Sequence, residues 1–340
     1  AADCQGNCSG KYGKSACGSL GYAFADAMYA DRVIVVTDNL VSYPLADYSI
    51  SETYIDYVVQ VDSIGDPKGI VSSTTKITRD PVGLTIAKYA AKVIYHSGLL
   101  KDGFSFQTGA GGASLATAMY LKEMMLKEKV KGSFCMGGIT GYLVDMLEEG
   151  CFESLMDVQC FDLKAVESLK KNPGHVEVTA SHYASPTAKS CIVNQLDAVI
   201  LGATEMDVDF NVNVHTDSNG VIIGGSGGHS DAAAGAKLAI IAAPLNRARL
   251  PILVEKVKCI STPGNTVDVL VTQKGIAVNP KHQELIGRLK EARLPVFEIR
   301  ELKKMAEEMA GCPAPLNMGS RVVADVLYRD GTLIDQIRQI

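Results

Sequence analysis

The chain has 340 residues, enough for two domains with ample core. Hydrophobic content of 47% with 21% charged residues is ordinary for a globular protein, and a net charge of −5 without a Lys/Arg run argues against a nucleic-acid surface. No apolar stretch is long enough to span a bilayer, and the opening Ala1-Ala2-Asp3-Cys4 does not read as a signal peptide.

Nine cysteines, an odd number scattered along the chain, point to free thiols in a reducing, cytoplasmic setting. Cys4, Cys8 and Cys17 lack paired C-x-x-C units, and His175 and His182 have no second ligand at metal spacing, so no metal site is expected.

In chain order, residues 19–28 read as a helix and residues 32–38 as a buried strand. With the acidic and glycine-rich stretch before them, they resemble residues 203–257 in kind, so residues 1–43 are expected to form a degenerate internal repeat. Gly10, Gly13, Lys14 and Ser15 suggest a P-loop, but Cys8 stands where glycine is needed and no strand precedes it. Residues 54–62 read as a strand and residues 64–69 as a turn-rich loop. Asp80-Pro81 is a strong helix start, an N-cap followed by Pro, and the helical spacing runs to Gly98. A domain boundary is placed near residue 80.

The next domain opens with a strand over residues 103–108, then Gly109, Gly111 and Gly112, then a helix over residues 115–127. Strand, glycine turn and helix in that order can make an anion-binding nest, or simply allow close helix–strand packing. Strands over 131–136 and 158–161 alternate with helices over 140–149 and 162–171, which argues for a mainly parallel sheet. Residues 174–194 are irregular.

Ala198, Val199, Ile200 and Leu201 form a buried strand with Glu205 at its carboxyl end, where open α/β sheets place their chemistry. Residues 208–214 alternate as a half-buried strand. Ser218-Asn219-Gly220 turns the chain so that residues 221–223 can return as a hairpin partner. The glycine loop of Gly224, Gly225, Ser226, Gly227 and Gly228 follows, with Asp231 as N-cap of a helix through Ala243. A carboxylate beside bare amides suits acyl transfer, with Glu205 as the carboxylate and the N–H groups of Gly227 and Gly228 as oxyanion donors. The same loop could hold phosphate, or Glu205 could be a solvated strand end beside a tight turn. His229 could donate to a substrate oxygen or cap the loop. Beyond it, strands are expected at 251–257 and 267–272, the latter the last major one, and at 295–299. Helices are expected from Pro280 and over 301–310, and Asp330-Gly331 is a turn in the tail.

Thr204-Glu205-Met206-Asp207, the glycine loop with His229-Ser230-Asp231, and Ile260-Ser261-Thr262-Pro263-Gly264-Asn265 through Asn279-Pro280 resemble the second half of the CoA-transferase fold. In combination they resemble the alpha-subunit family of citrate lyase, its citrate CoA-transferase component, over nearly the whole chain. The resemblance implies an α/β, CoA-transferase-like fold of two open, mainly parallel sheet domains, the first one incomplete. Its parts would be residues 1–80, 81–312 and a tail at 313–340. It implies transfer of citrate onto the thiol of an acyl carrier in exchange for acetate, giving a citryl thioester that a beta subunit would cleave. The thiol belongs to CoA or to a CoA-derived prosthetic group on the partner carrier. Gly109, Gly111, Gly112, Gly225, Ser226, His229 and Asn265 would contact substrate or CoA. Arg79, Lys237, Arg247, Arg249 and Arg321 are further candidates for the carboxylates. Alternatives are an acetate- or citramalate-type CoA-transferase, a sugar-phosphate-binding regulator of the same broad fold, or a scaffold for partner subunits.

Overall fold

The computed structural model describes residues 1–70, 76–109, 111–312, 316 and 318–340. Ala110 of the first glycine turn, and residues 313–315 where the tail was expected to start, lie outside the described residues.

The first segment carries β1 (Ala2–Asp3), α1 (Gly21–Tyr29), β2 (Ile34–Thr37), β3 (Leu40–Val41) and β4 (Tyr57–Gln60). Strands β1 and β3 pair in parallel, as do β2 and β4. The strand expected to be buried at 32–38 is mostly exposed: among the described residues its sheet partner is β4, and Ile34 and Val36 stay open to solvent. Helix α2 (Pro81–Ser97) follows, capped by the Asp80 carboxylate at the Gly83 amide and ended by Gly98 in the left-handed region.

The middle of the chain alternates strand and helix: β5 (Ser105–Thr108), α3 (Gly112–Glu128), β6 (Gly132–Ile139), α4 (Gly141–Glu148), β7 (Phe152–Cys160), α5 (Leu163–Lys171). Strand β7 is longer than expected, and the irregular stretch after α5 contains β8 (His175–Glu177) and the short helix α6 (Ala180–Ala184). Next come β9 (Ala198–Leu201), β10 (Glu205–Asp207), β11 (Val212–Asn213), α7 (His229–Gly235) and β12 (Leu238–Ala242). Short strands β13 (Asn246–Arg247), β14 (Leu250–Pro251) and β15 (Leu253–Val254) replace the single strand expected at 251–257. The chain continues through β16 (Val269–Val271), β17 (Ile276–Val278), α8 (Gln283–Glu291) and α9 (Ile299–Ala310). It ends in a hairpin of β18 (Val322–Leu327) and β19 (Leu333–Arg338).

Among the described residues the main sheet has eight strands in the order β17-β16-β12-β9-β5-β6-β7-β8, parallel except at the β16–β17 edge. Two apolar cores form on it: Phe104, Phe106, Ile139 and Ile200 belong to one, Met136, Tyr183, Val199 and Ile241 to the other. A strand with both faces buried reads as an unbroken apolar run, which is why Ala198–Leu201 was legible.

Other expectations meet a different local structure. The alternating run at 208–214 is not one strand: the chain reverses between β10 and β11, with Phe210 in the left-handed region at φ 67°. The return at 221–223 after the turn at Gly220 is present, with an antiparallel bridge from Thr216 to Ile222 flanked by the Asp217 amide on the Val221 carbonyl and the Ile223 amide on the His215 carbonyl, and it stays exposed. The helix expected through Ala243 stops at Gly235, because the apolar run 238–242 is taken up as a central strand. Its N-cap is Gly228, and Asp231 instead pairs with Arg329 at 2.9 Å. Residues 295–299 make a single bridge from Val296 to Ile276 and no strand, and strands continue beyond β16.

The repeat is visible bond by bond. Asp3 Oδ1 accepts from the amides of Gln5, Gly6 and Asn7, and Asn7 Nδ2 donates to Asp3 Oδ2 at 2.9 Å. Asp207 Oδ1 likewise accepts from the amides of Asp209 and Asn211, and Asn211 Nδ2 donates to Asp207 Oδ2 at 3.2 Å. Gly6 at φ 110° occupies the place of Phe210. Each aspartate ends a strand with a parallel partner, β1 on β3 and β10 on β15. Alignment of the two loops sets Ala1 opposite Glu205.

Candidate active site

In a parallel sheet the crevice lies outside the carboxyl ends of the strands. Strand β5 delivers Thr108 and Gly109 there, and Gly111 is the N-cap of α3 with no side-chain cap of its own. Strand β6, beside β5, delivers Ile139, Thr140 and Gly141, and β9, on its other side, delivers Gly202 and then Glu205. The expected glycine turn therefore stands at the sheet edge where chemistry is placed.

Glu205 is buried, not a solvated strand end. Its Oε2 accepts from Asn213 Nδ2 at 3.3 Å and from the Lys258 amide at 3.1 Å. The glycine loop behaves differently. Gly224, Gly225 and Gly227 are exposed, with no heavy atom of the described residues outside their chain neighbours within 4 Å of where a Cβ would stand. At Gly228 a Cβ would lie 2.5 Å from the Tyr183 ring, so this position has no room for a side chain. Gly227 and Gly228 line a cavity of about 300 Å³ with Tyr22, Tyr183, Asp231 and Arg329; Glu205 is not among its lining residues. The carboxylate thus does not line the cavity that the two amides line.

His229 has both ring nitrogens engaged. Nε2 faces the Gly202 carbonyl at 2.8 Å and so carries the proton, leaving Nδ1 to accept from the Thr262 hydroxyl at 2.7 Å. Burial pushes its pKa down to about 4. A neutral imidazole thus ties the glycine loop to the end of β9. Ser226 is half-buried, and Asn265 is exposed, its carbonyl accepting from Lys281 Nζ.

Of the cationic candidates, Arg79, Arg249 and Arg321 are exposed, and Lys237 pairs with Asp197 at 2.8 Å. Arg247 Nη2 reaches the Ala203 carbonyl at 3.4 Å, two residues before Glu205. Sequence reasoning missed Arg329. It comes from the tail, its Nε donates to Asp231, and its Nη2 donates to the Ala184 carbonyl at 2.8 Å.

It also missed two uncharged groups. Among the described residues Gln107 Oε1 and Thr140 Oγ1 are buried without a hydrogen-bond partner. Such an atom typically costs about 1–3 kcal/mol. A polar residue closing an apolar strand just before a glycine was the available signal: Gln107-Thr108-Gly109 and Thr140-Gly141.

The family model described as "Citrate lyase, alpha subunit (CitF)" matches residues 1–340. The citrate lyase alpha chain of Klebsiella pneumoniae is 51% identical over 98% of this chain and 66% of its own length. That of Escherichia coli (strain K12) is 47% identical, again over 98% of this chain and 66% of its own. The chain thus spans about 66% of the length of these curated relatives. A solved structure from Streptococcus mutans, described as an alpha subunit of citrate lyase in complex with citrate, superposes with a TM-score of 0.96 at 49% identity. It covers 100% of this chain and 67% of that one. A malonate decarboxylase alpha subunit from Acinetobacter baumannii shares the fold alone, with a TM-score of 0.59 at 19% identity, over 92% of this chain and 70% of its own.

Proposed function

The chain belongs to the citrate lyase alpha-subunit family, and from that premise we propose that it exchanges citrate for acetate on an acyl-carrier thiol. A citrate carboxylate replaces acetate on the acetyl thioester; the products are citryl thioester and free acetate. The observation that carries this reading is the citrate-bound relative, which superposes on the whole of this chain. The beta subunit and the acyl carrier are the proposed partners. The carrier's CoA-derived arm is a substrate that supplies the thiol. We place the protein in the cytoplasm, a setting that suits nine cysteines free of disulfides.

One thioester replaces another, so the chain need supply little driving force. Its task is to orient the two acyl groups and keep water from the activated one. The loop at Gly224, Gly225 and Gly227 leaves open space where side chains would stand, so its backbone can come close to a narrow arm. Gly109 and Gly111 offer similar access, with Ser114 alone among the described residues near their Cβ positions. For Glu205 we infer a positioning role rather than attack on the thioester. Its burial and its bonds to Asn213 and the Lys258 amide support that reading, as does its absence from the cavity lined by Gly227 and Gly228.

The test is acetate release from an acetyl thioester on addition of citrate. Citrate-dependent release is expected, and none from the wild-type protein with its partner subunits would end the reading. Glu205→Gln, with a positioning role, should slow exchange by about tenfold through lost orientation. A loss of about a thousandfold or more, with a modified Glu205 recovered from the wild type, would instead make it the nucleophile.

A further inference from the structure

We propose that Glu177 is a positioning residue: it seats the first segment on the main sheet, so that Tyr22 walls the cavity that takes the carrier's CoA-derived arm. This rests on the exchange reading above and names the contact that completes the arm's site.

Glu177 closes β8, the edge strand of the main sheet, and is the cross-strand partner of Asp157 on β7. Its carboxylate binds residues far back in the chain. Oε1 accepts from the Leu20 amide at 2.6 Å, and Oε2 accepts from the Ser49 hydroxyl at 2.7 Å. Lys11 Nζ stands 3.8 Å from Oε2, and both side chains are 15% exposed. Leu20 is the N-cap of α1 and has no side-chain cap, so the carboxylate supplies an acceptor at a helix start, where negative charge is favoured. Next to it, the Ser19 hydroxyl donates to the Asp157 carbonyl at 2.9 Å. A Cβ on Gly21 would lie 2.3 Å from the Val178 carbonyl oxygen and 2.7 Å from that of Val158, an approach that only glycine permits. Helix α1 therefore begins directly on the ends of β7 and β8.

The residue after Gly21 is Tyr22. With Ala25 it is the first segment's share of the cavity of about 300 Å³, whose other walls include Tyr183, Gly228, Asp231 and Arg329. Burial and the nearby Asp231 carboxylate push the Tyr22 pKa up, so its hydroxyl keeps its proton. Two tyrosine rings, a glycine wall and the paired Asp231 and Arg329 suit the uncharged, amide-bearing part of such an arm. The seat decides where this wall stands. The buried apolar residues of the first segment, Ala2, Cys8, Ala27 and Ile50, form a core of their own, apart from the two on the sheet. Those two cores therefore do not fix where α1 lies. The contacts at Ser19, Leu20 and Gly21 do, and Glu177 ties Leu20 and Ser49 to one carboxylate.

The experiment is citrate-dependent acetate release with acetylated acyl carrier added as a free subunit, read as separate KM values for carrier and citrate. Glu177→Ala should raise the carrier KM about tenfold, with kcat and the citrate KM within about twofold. Glu177→Gln, which keeps an acceptor for the Leu20 amide and has a donor for Ser49, should stay within about threefold of wild type. Tyr22→Ala should raise the same KM, and adding Glu177→Ala to it should raise it no further, because the seat acts through the wall. Ser49→Ala, a milder loosening of the seat, gives the same reading if Glu177→Ala fails to fold. An unchanged carrier KM in the seat variants or in Tyr22→Ala, effects that multiply in the double variant, or a fall in kcat with both KM values disturbed overturns the inference and leaves the exchange reading standing. Wild type that releases no acetate brings down both.

Discussion

At the scale of single residues, His229 shows how a group that looks catalytic can be structural. A histidine inside a glycine loop suggests a donor to substrate, yet the Gly202 carbonyl and the Thr262 hydroxyl use both nitrogens. The neutral ring has a cost in acid. In the folded state its pKa is held at about 4, against 6.5 when unfolded, so below pH 6.5 the unfolded chain takes a proton that the folded chain refuses. The contribution is fully present above pH 6.5 and drains away as pH falls towards 4. Denaturant midpoints measured from pH 7 to pH 4 should therefore fall more steeply for wild type than for His229→Gln, which cannot take up the proton. Parallel curves would show that this imidazole does not govern acid stability. Glu205 teaches a related lesson: a strand-end carboxylate was legible in sequence, but its enclosure depends on the reversal that brings Asn213 back beside it and on Lys258, 53 residues on.

At the scale of elements, the terminal hairpin behaves as a strap. Strands β18 and β19 share a small apolar cluster with Cys259, and the Ile260 amide donates to Asp335. Near the hairpin turn, Arg329 bonds Asp231 of α7 and the Ala184 carbonyl that ends α6. Arg329→Met keeps much of the side-chain volume and removes both bonds. Charge-assisted bonds of this kind contribute about 1.5–3 kcal/mol. Amide exchange across Val322–Leu327 and Leu333–Arg338 should accelerate about tenfold or more in this variant, while α2 and β5 stay protected. Exchange that rises equally in α2 and β5 would mean that the strap is part of the global fold. Elements with strong local punctuation were legible from sequence: Asp80-Pro81 and Gly98 bound α2, Asp162 caps α5, and Gly311 ends α9. The failures share a cause. Residues 208–214 alternate apolar and polar, as a strand does, but the Asp207 carboxylate gathers the amides of Asp209 and Asn211 and reverses the chain. The alanines at 232–234 continue in composition into residues 238–242, and only sheet pairing with β9 and β16 separates helix from strand.

At the scale of the whole molecule, the repeat makes two copies of one loop serve different ends. The copy at Asp207 sits in a three-stranded sheet in the order β11-β10-β15, whereas the copy at Asp3 shares its segment with the parallel pair of β2 and β4, one face of which is open. Parallel strands are ordinarily covered on both faces. Here Ile34 and Tyr57 are each 58% exposed, Val36 is 50% and Val59 is 43%, and they stand together because their strands pair in register. A contiguous apolar face of this kind drives association when nothing covers it. The isolated 340-residue chain should therefore self-associate at micromolar concentration and bind a hydrophobic dye. The double variant Val36→Lys, Tyr57→Glu should lower both signals, with little change in thermal stability because these side chains make few buried contacts. Sedimentation at rising concentration reads the outcome. A wild type that stays monomeric, or a variant that associates as strongly as wild type, would show that this face does not drive assembly.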